Sequence, residues 1–336
     1  MSLITVLYVA LFCIAYALTK LLIDYAHKRK LFDIANHRSS HTQATPRIGG
    51  LSFVIIISTI IGYYSVFIAS TATWSVICFI LLPLVLVALT GLIDDVQGLK
   101  QSTRFSVYFF CALLALGNVT TLFTHVYWVI IGGALLLSLS CCWLINLFNF
   151  MDGIDGIAAS EGIFVLIALS FFSYQGNNTS LAFLLILSTA PVAGFLVLNW
   201  QPAKIFMGDI GSTFLGCFIA CICLYAVNKH LINFYSVLIL LAAFTIDATW
   251  TLAYRLISGQ RWYEAHRSHC YQILSRRLGS HKKVTLLYTL INMIWLFPLA
   301  LAAQHFIGHA LLITTISLLP LIALCFIIGA GKSERN

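Results

Sequence analysis

Eleven apolar runs, most of them close to 20 residues long, follow one another along this 336-residue chain. A helix needs about 20 residues to cross the hydrocarbon core of a bilayer. Inside that core only helices or closed barrels satisfy every backbone N–H and C=O. The runs fall at 2–23, 49–69, 74–93, 104–122, 125–147, 157–175, 180–198, 211–227, 232–252, 284–303 and 309–330. The fourth, interrupted by Gly117 and Asn118, is the weakest. They are too long for transmembrane strands, so the chain is predicted to be all-α, a polytopic bundle of about 11 transmembrane helices. No soluble domain, linker, low-complexity segment or internal repeat divides it, and residues 1–336 read as a single integral membrane domain. The first run has no basic residue before it and no small-residue cleavage site after it, so it is expected to stay as a spanning helix. The ten cysteines lie mostly inside apolar runs and read as small hydrophobes, with no metal-binding spacing.

The segments between the runs alternate in character. One set is short and nearly uncharged. The other holds almost every ionised residue, and of the 19 basic residues only Lys229 falls in the uncharged set. By the positive-inside rule the charged face is cytoplasmic, the N-terminus outside and the C-terminus inside; with the resemblance given below, that outside is the periplasm. The net charge of +8 is then a topology signal with an attraction to anionic membrane lipids, and it gives no reason to expect nucleic acid. The acids share this one-sidedness: Asp94, Asp95, Asp152, Asp155, Asp209 and Glu264 all map to the cytoplasmic face. That rule counts Lys and Arg, so it does not account for them. An active site on that face does.

Five polar clusters stand on this face. Residues 44–51, ATPRIGGL, follow Arg38 and His41; with Arg47 these are donors suited to phosphate, and Gly49 and Gly50 allow close backbone approach. A basic loop resting on lipid head groups is the plainer alternative. In residues 91–99, GLIDDVQGL, Asp94 and Asp95 end an apolar helix, where the macrodipole disfavours them. Such a pair suits proton transfer or a hard cation, or merely a helix stop facing water. Residues 146–156, NLFNFMDGIDG, pack Asn146, Asn149, Asp152 and Asp155 between two apolar helices. If Asp152 and Asp155 begin a helical turn, their spacing puts them on one face. Residues 199–216, NWQPAKIFMGDIGSTFLG, place Asp209 at a helix start, as a cap or a Mg²⁺ ligand. In the largest loop, 255–283, a helical turn would align His266 and His269 beside Arg261 and Arg267; phosphate binding suits them better than zinc. Arg276, Arg277, His281, Lys282 and Lys283 read as a solvated basic surface. Asp247, inside the ninth run, is either a helix–helix contact or a distal site residue.

In order, R-x-x-H-x(4)-P-R-x-G-G, G-L-I-D-D, N-x-x-N-F-M-D-G-I-D-G, N-x-x-P-A-K-x-F-M-G-D-x-G-S and the His-containing basic loop resemble the polyprenyl-phosphate N-acetylhexosamine-1-phosphate transferase superfamily (glycosyltransferase family 4). The resemblance runs from Asp33 to His269, and the loop AHRSHCYQ is most similar to the O-antigen-initiating branch. It implies a bacterial inner-membrane enzyme acting on undecaprenyl phosphate and a UDP-N-acetylhexosamine such as UDP-FucNAc, UDP-QuiNAc or UDP-GlcNAc. It implies Mg²⁺, with Mn²⁺ as a substitute, and it allows a homodimer. By residue, it implies Asp209 as metal ligand, with Asp94 and Asp95 near lipid phosphate and metal, one of them as base. It implies nucleotide contacts from Asn149, Asp152, Asp155 and Asn199. His266, His269 and Arg267 would meet the diphosphate or sugar, with the two histidines in the catalytic set, and Arg38, His41 and Arg47 would bind substrate. The rival from another class, a transporter or flippase for an anionic or polyprenyl-linked solute, would call for ionisable residues near the bilayer midplane and paired broken helices.

Overall fold

The computed structural model describes residues 3–33, 44–68, 73–118, 127–261, 264 and 266–332. Arg38 and His41 lie outside them. Among the described residues, each of the eleven predicted stretches falls on helix. In chain order these are α1 (Leu3–Arg29), α2 (Leu51–Phe67), α3 (Trp74–Gln97), α4 (Gln101–Ala115), α5 (Tyr127–Met151), α6 (Ile157–Gln175), α7 (Thr179–Asn199) and α8 (Gly208–Asn228). They are followed by α9 (Phe234–Leu240), α10 (Ala242–Ile257), α11 (Cys270–Leu278), α12 (His281–His305) and α13 (Ile307–Ile328). Eight of the helices are long and apolar enough to cross a membrane, and α9 with α10 makes a ninth if the pair is one span. The chain is a polytopic helical membrane protein.

Two elements depart from the sequence reading. The ninth run is broken at Leu241, where α9 and α10 meet at 74°. No Gly or Pro marks the break, so nothing local announces it. The loop after α10 also contains an amphipathic helix, α11, that no long apolar run signals.

The core centres on α8, in which 89% of the spanning window is buried. It packs against α2, α3, α5 and α6, while Leu3, Trp74, Ile294 and Ile327 on outer helices stay largely exposed, as lipid-facing residues would. Small residues set the distances between these helices. A Cβ on Gly91 of α3 would lie 2.6 Å from the Asp209 carbonyl oxygen, and one on Gly50 would lie 2.4 Å from Gly211 Cα. Helices α2 and α3 therefore press directly on the first turn of α8.

A two-residue ladder, β1 (Phe32–Asp33) with β2 (Thr45–Pro46), pairs antiparallel, Phe32 opposite Pro46 and Asp33 opposite Thr45. The chain beyond β2 is fastened to the segment before α8. Phe206 N–H donates to Pro46 O (2.8 Å), Gly49 N–H to Phe206 O (3.0 Å) and Gly50 N–H to Met207 O (2.8 Å). The first and fourth sequence motifs are thus hydrogen-bonded to each other.

Candidate active site

The C-terminus of α3 meets the N-terminus of α8, and this junction resolves the misplaced charge of Asp95. Its Oδ1 accepts from Asp209 N–H and its Oδ2 from Ile210 N–H, both at 3.0 Å. The carboxylate disfavoured at the end of its own helix is held by the positive end of another. Gly208 has φ +75°, and a Cβ there would sit 2.6 Å from Asp95 Oδ2, so the turn into α8 requires glycine.

Asp94 points to a different partner. Its Oδ1 accepts from Leu99 N–H (2.6 Å), and its Oδ2 accepts from Arg104 Nη1 on α4. The same nitrogen donates to Asp209 Oδ2 at 3.1 Å. Asn149, on the last turn of α5, donates from Nδ2 to Asp209 Oδ1 at 2.8 Å. Three motifs far apart in sequence therefore meet at one carboxylate, Asp209.

Asp209, Asn149 and Asp95 border a cavity of about 310 Å³, at the low end of the range of small-molecule sites; Asp94 and Arg104, which reach it through Asp209, are not among its lining residues. Asp95, Asp152 and Asp209 line it, with Asn149, Arg47 and Asp155. Among the described residues Arg47 Nε is buried with no hydrogen-bond partner. A guanidinium N–H left without an acceptor at a cavity wall suits an incoming phosphate or carboxylate oxygen.

Asp152 and Asp155 lie in the non-helical turn before α6, which starts at Ile157, so the predicted helical turn does not form; both still line the cavity. Their roles diverge. Asp155 Oδ2 accepts from Ala203 N–H (3.1 Å), and its Oδ1 pairs with His281 Nδ1 (3.1 Å). Among the described residues no group donates to the Asp152 carboxylate. Burial, then the charges of Asp209, Asp95 and Asp155, push its proton affinity well above the ordinary carboxylate range. Asn199 also lines the cavity, but its amide is engaged internally: Oδ1 accepts from Gly156 N–H (3.0 Å) and Nδ2 donates to Ile205 O (2.9 Å).

The basic loop differs from expectation. His266 and His269 are not on a helical turn, because α11 begins only at Cys270. Their rings nevertheless lie close, with centroids 4.9 Å apart and planes tilted by 30°. Neither these histidines nor Arg267 is among the lining residues; the wall is made instead by Gln272 of α11 and His281 at the start of α12. His281, read from sequence as solvated surface, lines the cavity. Asp247 is buried and accepts from Cys270 N–H (2.7 Å), Tyr271 N–H (3.0 Å) and Tyr288 Oη–H (2.7 Å), which fixes the start of α11. Tyr271 Oη–H in turn donates to Phe150 O (2.8 Å), tying α11 to the third motif. Sequence reasoning missed Arg104, Gln272 and His281. Arg104 carried a signal, since it and Lys100 are cations within ten residues of an acidic pair; Gln272 carried none.

Among the described residues no trio of His, Cys, Asp or Glu forms a ready-made metal site. Mg²⁺ asks for less, one or two carboxylates with substrate phosphates and water. Asp94 and Asp209, whose Oδ2 atoms converge on one nitrogen, fit that demand.

A polytopic helical membrane protein with one carboxylate-lined cavity at its polar face matches a defined class. Residues 76–227 match the family model described as glycosyl transferase family 4. The chain is 30% identical over 264 residues to the phospho-N-acetylmuramoyl-pentapeptide-transferase of Campylobacter lari, covering 67% of this chain and 73% of that protein. It is 27% identical over 272 residues to the probable undecaprenyl-phosphate N-acetylglucosaminyl 1-phosphate transferase of Bacillus subtilis, covering 78% and 75%. Against the decaprenyl-phosphate N-acetylglucosaminephosphotransferase of Mycobacterium leprae it is 28% identical over 316 residues, covering 82% and 77%. The chain belongs to glycosyl transferase family 4, the polyprenyl-phosphate N-acetylhexosamine-1-phosphate transferase superfamily.

Proposed function

We propose that this protein transfers an N-acetylhexosamine-1-phosphate from a UDP-sugar to undecaprenyl phosphate at the cytoplasmic face of the bacterial inner membrane, releasing UMP. The supporting observation is the convergence of Asp95, Asp152, Asp209, Asn149 and Arg47, from four separate motifs, on one cavity. The named activities of its relatives support the same reaction class.

The lipid phosphate oxygen attacks the sugar-side phosphorus, and the bond from that phosphorus to the oxygen of the departing UMP breaks. Such chemistry is mainly positioning and charge neutralisation. Asp209 and Asp94 are the residues to hold Mg²⁺ or Mn²⁺, which neutralises diphosphate charge when bound. Asn149 orients Asp209, and Arg47 offers Nε–H to a phosphate oxygen. Asp95 keeps α8 in place through two backbone N–H groups. Both carboxylate oxygens of Asp94 and of Asp95 already accept hydrogen bonds, which ties these side chains to structure. Asp152, with no donor and a raised proton affinity, is the better acceptor for any proton remaining on the lipid phosphate. Asp155 and His281 shape the opposite wall, where the nucleotide binds. The lipid product initiates O-antigen or a related surface polysaccharide; the loop AHRSHCYQ supports the O-antigen branch and a 6-deoxy-N-acetylhexosamine.

Purified protein, undecaprenyl phosphate, Mg²⁺ and a panel of UDP-N-acetylhexosamines, with UMP measured, test this reading. One sugar is expected to release UMP well above the others. No UMP with any sugar would reject it.

A further inference from the structure

One cation serves two carboxylates beside the cavity, one of which, Asp209, lines it. Arg104 Nη1 donates to Oδ2 of Asp94 and to Oδ2 of Asp209, and the three side chains are only partly exposed, at 25%, 9% and 29%. The other oxygens are already taken: Asp94 Oδ1 accepts from Leu99 N–H and Asp209 Oδ1 from Asn149. Arg104 thus fills the position between the two Oδ2 atoms where a hard cation would bind both.

We infer that Arg104 is a resident counter-cation that a divalent metal must displace, and that the displaced guanidinium is then free to pair with the substrate diphosphate. This rests on the transferase reading above. Two cations cannot share those oxygens without strong repulsion in a partly desolvated site. A guanidinium that has lost its carboxylates regains equivalent partners in phosphate oxygens, which it can engage in pairs. Arg104 stands on α4, directly beyond the turn that ends α3, so both partners are within one side chain's reach. The arrangement offsets half of the paired carboxylate charge before metal arrives. It also couples metal entry to the appearance of a phosphate-binding cation, so metal without nucleotide binds weakly.

Electron paramagnetic resonance of Mn²⁺ with the purified full chain, no nucleotide present, tests the displacement. Arg104→Gln is expected to bind Mn²⁺ about tenfold more tightly than wild type, the scale of one charge-assisted hydrogen bond, while its turnover falls. Asp209→Asn, added to either protein, is expected to abolish the binding. Equal or weaker binding by Arg104→Gln overturns the inference. Phenylglyoxal labelling of Arg104 in wild-type protein, read by mass spectrometry, gives an answer without a variant. Labelling should speed up with Mg²⁺ and slow again when UDP is added; labelling indifferent to Mg²⁺ overturns the displacement. UMP release by the wild type separates the two readings. With UMP formed and no gain in Mn²⁺ affinity, the displacement fails and the transferase stands. With neither Mn²⁺ binding nor UMP, both fall.

Discussion

Asp152 and Asp209 share a cavity wall and differ in what surrounds them. Asp209 is fixed by Asn149 and Arg104, whereas Asp152 faces three other acids with no donor among the described residues. Asp209→Asn is expected to fold with an unchanged thermal midpoint and to lose at least about 100-fold in UMP release; full activity would remove it from the metal set. Asp152 must be ionised to accept a proton. Activity should therefore fall as pH drops through its raised pKa, at a pH above the ordinary 3.8. Asp152→Asn should lose about 100-fold or more and, in what remains, that acid limb; a limb that survives places the titration elsewhere. His266 titrates in the other sense. Burial, then His269 and Arg255, hold it down at about 3 against its ordinary 6.5. Between those values the unfolded chain carries a proton that the folded one lacks, so stability is full above pH 6.5 and declines as pH falls toward 3. Thermal midpoints of wild type and His266→Gln should diverge over that window, the wild type losing more; parallel curves would contradict the burial of a neutral ring.

At the scale of elements, the site is a junction of helix ends. Helix α3 delivers Asp94 and Asp95, α5 delivers Asn149, and α8 offers the N–H groups that hold Asp95. Gly91 lets α3 sit against the first turn of α8. Gly91→Ala should separate them at a cost of about 1–3 kcal/mol, read as a lower thermal midpoint with a larger loss of turnover. A drop in stability with turnover intact would show that the site does not depend on this seat. The helices and the four main motifs were legible because bilayer length and the cost of charge in an apolar chain leave strong marks in sequence. The break at Leu241 was not, since it has no Gly or Pro. Its consequence is visible in Asp247, which α10 brings to the start of α11. That long-range capping also explains why His266 and His269 come together without a helical turn, and why Gln272 and His281 line the cavity instead.

For the whole molecule, the separation of charge predicts how it sits. Nearly every ionised side chain belongs to one face, and the cavity lies there. A fluorescent protein fused to the C-terminus should therefore fold and fluoresce in the cytoplasm, and alkaline phosphatase fused to the N-terminus should be active in the periplasm; the reverse pattern would invert the assignment. An outer ring of exposed apolar side chains surrounds a buried α8, which is the arrangement of a protein solvated by lipid. A transporter would instead need ionisable groups along a path between helices and paired broken spans, and one broken pair is found among the described residues. The decisive measurement follows the phosphorus. With UDP-N-acetylhexosamine labelled in the sugar-side phosphate, purified protein, Mg²⁺ and undecaprenyl phosphate should move the label into the organic-extractable lipid as unlabelled UMP appears in the aqueous phase. Label that stays in the aqueous phase with every sugar of the panel would contradict the account.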